Sequence, residues 1–271
     1  DIDPSEINKN VEVDVGIAGD LRQTLVCLLD GLEPIEHGQW VQRITKWRDE
    51  STDRELLNQV LESPELKAAE VIHDLWTLTG GEAITVTDVG QHQMWVAQYY
   101  KHSRRHELIT SGGMGTMGFG LPAGIGASMG RPDDEVWVVA GDGGFQMTMA
   151  ELATAMQEKV NVKIALINNG YLGMVRQWQE LFYEKRYNAT PMLSPDFCAL
   201  AAAYGVPAVR VEEREQIEPA VRQAQANTDG PFLIEFVVEQ HDVVFPMVPA
   251  GADLHDMIRR PINGPTQTKE N

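Results

Sequence analysis

Two short polar motifs of this 271-residue sequence contain the residue types that bind a divalent cation. One is Gly141-Asp142-Gly143, and the other, Asn168-Asn169, follows after 24 intervening residues. Carboxylate and amide oxygens are hard ligands that suit an octahedral cation, and a backbone carbonyl just beyond them can supply a third oxygen. The glycines leave room for backbone N–H groups to approach a diphosphate. Each motif alone is typical of an ordinary loop, but together, each after an apolar run, they predict a joint site for a metal ion and a diphosphate.

The elements that must position these motifs are buried strands alternating with helices. Apolar, β-rich runs occupy residues 83–87, 136–140, 162–167, 208–211 and 232–238, and helical patterns occupy residues 64–80, 149–157, 171–184 and 216–226. Strands that are apolar throughout and separated by helices predict an α/β fold, with a parallel sheet covered by helices on both faces. Such sheets bind ligands at the carboxyl ends of their strands, where both motifs lie. We also expect a helix that starts near Thr148 to point its positive end toward the diphosphate.

The first 63 residues follow a different pattern. The run Val13–Ala18 predicts a short strand, and Asp20 is suited to cap the leucine-rich helix that follows. Between Gly31 and Ser63, tryptophans and an isoleucine at helical spacing predict a helical connector. We therefore divide the chain into the end of a second α/β domain (1–32), a helical connector (33–63), the main domain (64–240) and a C-terminal segment (241–271).

Composition excludes several classes of function. A formal charge of −18, from 22 basic and 40 acidic residues with no basic run, offers no surface to a nucleic-acid backbone. No stretch approaches the roughly 20 apolar residues that span a bilayer. Cys27 and Cys198 stand alone, which argues against a disulfide scaffold or a zinc site and favours a reducing cytoplasm. Because the sequence opens without Met, on Asp1-Ile2-Asp3-Pro4, we expect a fragment or a processed product.

A glycine-rich segment allows three interpretations. Residues 113–118 (GMGTMG) match the GxGxxG pattern of dinucleotide-binding loops, which would indicate NAD. That interpretation requires a strand before the segment, a helix after it and an acidic residue near the end of the next strand, whereas the region here holds further glycines and Pro122. The second interpretation is a plain packing loop. We favour the third, a loop whose glycines let the backbone approach a different cofactor.

Several motifs together resemble a known family. GDG-x24-NN resembles the diphosphate and magnesium motif of thiamin diphosphate enzymes. Similarity to the catalytic subunit of acetohydroxyacid synthase (acetolactate synthase) is carried by residues 90–95 (GQHQMW), 111–122 (SGGMGTMGFGLP), 169–178 (NGYLGMVRQW), 181–183 (LFY) and 245–249 (FPMVP). The resemblance extends over nearly the whole chain, to about Ile258.

The resemblance implies an enzyme that uses thiamin diphosphate and Mg²⁺ to condense pyruvate with a second 2-ketoacid, either pyruvate or 2-ketobutyrate. CO₂ is lost, and 2-acetolactate or 2-aceto-2-hydroxybutyrate forms in the first common step of branched-chain amino-acid biosynthesis. It also implies FAD, a homodimer or homotetramer of the full-length chain, and a small regulatory subunit as a further partner. The resemblance further implies that residues 1–32 are the end of an FAD-binding domain and that residues 241–271 form a lid and tail.

The resemblance also assigns roles to single residues. Residues 89–92 contact the diphosphate, while Asp142, Asn169 and the carbonyl of Tyr171 hold Mg²⁺. Gly115 offers its carbonyl to the aminopyrimidine ring, and Met117 supports the bent cofactor. Met174 and Trp178 line the substrate pocket, where the Trp favours 2-ketobutyrate as acceptor; without the resemblance, Met117 and Trp178 would be interpreted as core residues. The full set for thiamin diphosphate is Val89, Gly90, Gln91, His92, Gly115, Met117, Gly141, Asp142, Gly143, Gly144, Asn169, Tyr171, Leu172, Gly173 and Met174, and the set for FAD is Asp1, Ile2, Gly19, Asp20 and Leu21.

The resemblance places no catalytic residue in this chain. The Glu that activates the cofactor in the family belongs to an N-terminal domain, and the FAD site is incomplete here, so we expect the chain alone to be inactive. Two alternatives stay open. One is another thiamin diphosphate enzyme, such as pyruvate oxidase or glyoxylate carboligase, although Met174, Trp178 and residues 90–95 disfavour it. The other is a cofactor-binding module with no activity of its own.

Overall fold

The computed structural model describes residues 1–50, 63–103 and 107–260. The chain divides into two compact units, Asp1–Thr52 and Asp53–Asn271. The four-part division made from the sequence is finer than this one and stays a prediction. Within the described residues, no helix has the length and apolar character needed to cross a membrane.

The described residues of the first unit form two α-helices, α1 (Leu21–Asp30) and α2 (Gly38–Glu50). The Asp20 carboxylate caps α1 by accepting a hydrogen bond from the Gln23 N–H at 3.0 Å, as the sequence predicts. The predicted strand at Val13–Ala18 is wrong, because residues 1–50 include no strand with which it could pair. Helix α2 lies inside the predicted connector, whose residues 51–62 are outside the described part of the chain.

The second unit is built on a parallel sheet. Its described strands are β1 (Ile84–Thr87), β2 (Leu108–Thr110), β3 (Val136–Gly141), β4 (Val162–Asn168), β5 (Ala208–Val211) and β6 (Phe232–Val237). They lie in the order β2-β1-β3-β4-β6-β5, and every neighbouring pair is parallel. The four central strands are almost entirely buried, because apolar residues occupy both of their faces.

Helices cover both faces of this sheet and form two apolar cores. They are α3 (Ala68–Leu78), α4 (Gln91–Tyr99), α5 (Gly120–Gly130), α6 (Asp142–Thr148), α7 (Leu152–Gln157), α8 (Gly173–Phe182), α9 (Phe197–Ala203) and α10 (Ile217–Ala226). Alternate residues of β3 enter different cores: Trp137 packs with α3, α4 and α10, whereas Val138 packs with α5, α6, α7 and α9. The predicted α/β fold is therefore confirmed.

Some elements differ from the sequence prediction. Helix α6 begins at Asp142, directly after β3, rather than near Thr148. The predicted helix at 149–157 is a 3₁₀ turn, Met149–Glu151, followed by α7. The sequence does not predict β2 or α5. Strand β2 has only three residues, too few to show a hydrophobic periodicity, and α5 contains four glycines, which have low helix propensity. Helix α5 forms because its apolar residues pack against the sheet.

Candidate functional site

The carboxyl ends of β1, β3 and β4 open on one cleft. Its walls are residues 89–92, 141–144, 169 and 171–175, together with Trp95, Met117 and Ile167. The three polar segments that follow separate strands in the sequence therefore meet in one place.

The cleft brings together most of the residues predicted to bind thiamin diphosphate. Of that set of fifteen, every residue except Gly115 lines it. A Cβ atom built on Gly115 would lie 3.8 Å from Cγ1 of Val89, so the glycine-rich loop runs beside the cleft. Trp95, Ile167 and Val175 also line it, although the sequence analysis assigned them no contact. These positions describe proximity, and the roles of the residues stay predictions.

Asp142 is buried in the wall of the cleft, and its described contacts are all with uncharged donors. Its Oδ1 accepts a hydrogen bond from the Gly143 N–H at 3.0 Å. Its Oδ2 accepts from the Gly170 N–H at 3.0 Å and from the Ser194 hydroxyl at 3.1 Å. Burial raises the pKa of Asp142 to about 6, although these hydrogen bonds act to lower it. A nearby cation would stabilise the ionised form of this carboxylate.

The turn after β4 is held by its own asparagines. Gly170 has a φ of +68°, in the left-handed region that favours glycine. Its N–H is shared between Oδ2 of Asp142 and Oδ1 of Asn168, the latter at 3.2 Å. Asn169 accepts from the Tyr171 N–H at 3.1 Å and donates to Oε1 of Gln91 at 3.4 Å. The turn therefore presents the Asn169 amide to Gln91, at the start of α4.

His92 is a buried imidazole in the same lining. Its Nε2 has no hydrogen-bond partner among the described residues. Burial lowers the pKa of His92 to about 4, although the neighbouring Asp88 carboxylate acts to raise it. The ring is therefore neutral at pH 7. A buried nitrogen without a partner is costly, and a ligand in the cleft can satisfy it.

Two buried glutamines connect the cleft to the C-terminal segment. Gln91 donates from Nε2 to Oε1 of Gln177 and to the carbonyl of Asp242, each at 2.9 Å. Gln177 also accepts from the Val244 N–H at 2.8 Å and donates to the Val244 carbonyl at 3.2 Å. Val243 and Val244 are buried as a result. The first residues of the predicted lid at 241–271 therefore belong to the packed domain.

Asp88 ties two loops of the site together, a role that the sequence analysis did not assign. Its buried carboxylate accepts from the backbone N–H groups of Val89 at 2.8 Å, Gly118 at 3.1 Å and Gly120 at 2.8 Å. The loop after β1 and the glycine-rich loop are thus fixed against each other. No spacing in the sequence indicates a contact across 30 to 32 residues.

Met174 and Trp178 lie on α8 and line a second cavity. Its other lining residues are Val175, Gln179, Tyr183 and Arg186, and its empty volume is about 1070 Å³. Met174 lines both cavities, so the two are adjacent. Trp178 is 40% exposed and packs edge-on against Phe182, with ring centroids 5.4 Å apart. Trp178 is therefore available to a ligand rather than enclosed in the core.

The residues predicted to contact FAD lie in the first unit. Asp1 and Gly19 are adjacent, since the Gly19 N–H donates to the Asp1 carbonyl at 2.9 Å. Ile2 and Leu21 are 73% and 70% exposed, and Asp20 is the helix cap described above. The structure thus brings the two halves of this set, 1–2 and 19–21, next to each other.

Ionisable groups are few in the cleft of the second unit. Among the described residues that line it, Asp142 is the only carboxylate, and no glutamate is present. The activating Glu is predicted to lie outside this chain.

Comparison with known proteins identifies the domain. The family model for the thiamine pyrophosphate (TPP, thiamin diphosphate) enzyme C-terminal TPP-binding domain matches residues 88–236. The chain is 39% identical over 263 residues to the acetolactate synthase isozyme 2 large subunit of Escherichia coli, covering 96% of this chain and 46% of that protein. It is 43% identical over 261 residues to the acetolactate synthase of Mycobacterium leprae, covering 93% and 42%.

A eukaryotic relative gives the same result. The chain is 39% identical over 264 residues to the mitochondrial acetolactate synthase catalytic subunit of Saccharomyces cerevisiae, covering 95% of this chain and 38% of that protein. The chain thus spans less than half the length of these relatives. The resemblance stated from the motifs is confirmed: the chain belongs to the thiamin diphosphate enzymes, and residues 88–236 correspond to their C-terminal cofactor-binding domain.

Proposed function

We propose that this chain is the cofactor-binding part of an acetolactate synthase. The enzyme condenses pyruvate with pyruvate or 2-ketobutyrate, releases CO₂, and forms 2-acetolactate or 2-aceto-2-hydroxybutyrate for branched-chain amino-acid biosynthesis. One observation carries the proposal: Asp142, Asn169 and His92 meet in one cleft at the ends of parallel strands, in a chain 39% to 43% identical to proteins of that name.

The cleft fits a diphosphate. When it carries a proton, the partnerless Nε2 of His92 can donate a hydrogen bond to a phosphate oxygen. The cleft needs glycine at position 173, because a Cβ there would overlap Oε1 of Gln91 and approach Nδ2 of Asn169 to 2.8 Å. In this proposal residues 89–92 hold the diphosphate, and the glycines at 141, 143 and 144 let it approach the backbone.

The chemistry of the donor set also fits Mg²⁺. Asp142, Asn169 and the Tyr171 carbonyl offer three oxygens, the ligand type that Mg²⁺ prefers. The Asp142 carboxylate lacks a cationic partner among its described contacts, and its pKa is raised. A metal ion held by these three oxygens would supply the positive charge that the Asp142 carboxylate lacks.

When bound, thiamin diphosphate supplies a carbon nucleophile and an electron sink for decarboxylation and carbon–carbon bond formation. This chain orients that cofactor and excludes water. Gly115 accepts a hydrogen bond at its carbonyl, and Met117 and Met174 give the cleft apolar walls. Trp178 contacts the acceptor 2-ketoacid from the second cavity.

Further partners belong to the same proposal. FAD contacts Asp1, Ile2, Gly19, Asp20 and Leu21, with the rest of its site supplied from outside residues 1–271. The full-length enzyme is a homodimer or homotetramer that also binds a small regulatory subunit. We place it in the cytoplasm, since Cys27 and Cys198 are both unpaired in the structure.

The test uses the chain joined to the N-terminal part of the E. coli relative, which we call the completed protein. With pyruvate, thiamin diphosphate, Mg²⁺ and FAD, we expect acetolactate, measured colorimetrically after acid conversion. If pyruvate were consumed and acetaldehyde or acetate formed instead, another thiamin diphosphate enzyme would be indicated. Cofactor binding with no turnover would indicate the non-catalytic module.

A further inference from the structure

Glu235 is a buried carboxylate in an apolar strand, and the mechanism above does not use it. It is 2% exposed, and its neighbours in β6 are Phe232, Leu233, Ile234, Phe236 and Val237. Burying a charge is costly unless the group is paired and hydrogen-bonded. Oε2 of Glu235 accepts from Nε of Arg210 at 2.8 Å, which balances the charge. The other oxygen, Oε1, accepts from Nδ2 of Asn168, also at 2.8 Å.

The contact with Asn168 fixes the orientation of an amide. An ionised carboxylate only accepts hydrogen bonds, so Asn168 must turn its NH₂ group toward Glu235. Its Oδ1 is then directed to the turn, where it accepts from the Gly170 N–H at 3.2 Å. The same N–H lies 3.0 Å from Oδ2 of Asp142. A chain of hydrogen bonds thus runs from β6 through Asn168 to the carboxylate in the cleft.

We propose that Glu235 is a positioning residue for the metal site, acting through Asn168 on the turn that carries Asn169 and Tyr171. The inference rests on the Mg²⁺ site of the proposed function. Reversal of the Asn168 amide would place its NH₂ group against the Gly170 N–H, and two donors would then face each other. Glu235 prevents that reversal, which keeps Gly170 aligned with Asp142.

The competing explanation is that Glu235 only forms an ion pair with Arg210. The two explanations differ in which variants affect the metal. Arg210→Gln removes the positive charge and leaves the contact between Glu235 and Asn168 in place. Glu235→Gln removes the constraint on the amide. The double variant Glu235→Gln/Asn168→Asp exchanges donor and acceptor at the same net charge. The amide introduced on β6 can accept from Arg210 and donate to the carboxylate introduced on β4, whose second oxygen accepts from Gly170.

The experiment measures Mn²⁺ binding to the completed protein in the presence of thiamin diphosphate, by electron paramagnetic resonance of the free ion. Partners of metal ligands change affinity about 10- to 100-fold when altered, so we expect Glu235→Gln and Asn168→Asp each to weaken Mn²⁺ binding about tenfold. The double variant should recover to within about threefold of the unsubstituted protein, and Arg210→Gln should stay within the same limit while lowering the Tm.

Each outcome either supports or overturns the positioning role of Glu235. Equal Mn²⁺ affinity in Glu235→Gln and the unsubstituted protein, or weakening by Arg210→Gln as large as by Glu235→Gln, would overturn the positioning role and leave the proposed function standing. If Glu235→Gln fails to fold, recovery of binding in the double variant still supports the role, and lack of recovery overturns it. No Mn²⁺ binding by the unsubstituted protein would overturn the metal site itself, and the positioning role with it.

Discussion

Burial moves Asp142 and His92 toward their neutral forms in the same cleft. The pKa of Asp142 is raised to about 6, and the pKa of His92 is lowered to about 4. A cation beside Asp142 and an anion beside His92 would reverse both shifts. The two residues are therefore suited to a ligand that carries both charges, such as a metal diphosphate.

Replacement of Asp142 should remove metal-dependent cofactor binding. We expect Asp142→Ala to abolish Mg²⁺-dependent binding of thiamin diphosphate to the completed protein, measured by calorimetry, because one of three proposed ligands is lost. Ser194→Ala is the control, since Ser194 contacts Asp142 at 3.1 Å without being a proposed ligand. Unchanged binding in Asp142→Ala would show that the metal lies elsewhere.

His92 should make stability depend on pH in the acid range. Its folded pKa of about 4 lies below the ordinary value of 6.5, so the unfolded chain binds the proton first. The contribution of His92 to the free energy of unfolding is fully present above pH 6.5 and is lost as the pH falls toward 4. Between pH 7.5 and 4, the unfolding free energy of the cofactor-free protein should fall by about 3 kcal/mol more than that of His92→Asn, measured with urea. Parallel curves for the two proteins would contradict this.

Trp178 should determine the choice of acceptor. The two acceptors differ by one methylene, a difference worth about 1–3 kcal/mol in an apolar pocket. In the completed protein, Trp178→Leu should lower the preference for 2-ketobutyrate roughly tenfold and leave acetolactate formation largely intact. Phe182→Leu is the matched control, because Phe182 packs against Trp178 but does not line the cavity. An equal loss of both products would assign Trp178 a structural role.

Among the elements, α8 determines where the C-terminal segment is firmly held. Gln177 on α8 and Gln98 on α4 both hydrogen-bond this segment, but Gln177 is buried and Gln98 is exposed. Gln177→Leu would leave both polar groups of Val244 without their partner. Buried unsatisfied groups cost about 1–3 kcal/mol each, so we expect about 3 kcal/mol of lost stability and faster amide exchange at residues 242–245.

The exposed glutamine provides the comparison for that variant. Gln98→Ala removes one exposed hydrogen bond, to the Phe245 carbonyl, and should cost less than about 1 kcal/mol. Similar losses in the two variants would show that the segment is held by something other than Gln177. Met247 and Ile258 pair through two backbone hydrogen bonds, so exchange should become fast between them, at residues 250–256, where the predicted lid continues. Strong protection across residues 250–256 would count against a lid.

The elements could be predicted where apolar residues form a local pattern in the sequence. Contacts between residues far apart in the chain could not be predicted. The run that became β3 is apolar, and the run that became β4 is apolar apart from Lys163 and its last residue, Asn168, which is visible in any window of the sequence. Val13–Ala18 has the same appearance, but a strand also needs a neighbour. Residues at the ends of strands could be assigned to the site, since parallel strands end at one edge. The contacts of Asp88, Gln177 and Glu235 reach across 25 to 86 residues, and spacing carries no trace of them.

At the scale of the whole molecule, the chain should be catalytically silent alone. The described lining of the cleft contains no glutamate that could activate the cofactor. We expect the purified 271-residue chain to form no acetolactate with all cofactors present, and the completed protein to form it. Appreciable product from the chain alone would falsify this and would require another proton donor within it.

The hydrogen bonds around Gln91 have a consequence for the order of folding. They join residues 86 and 151 positions apart, and Gln177 joins Val244 across 67. Contacts between such distant positions form slowly, because long loops must close before they stabilise anything. Helices and local turns can therefore appear in a nascent or refolding chain well before the cleft exists. We therefore expect competence to bind the cofactor to be acquired last, so that a bound cofactor marks a chain whose sheet has already been completed.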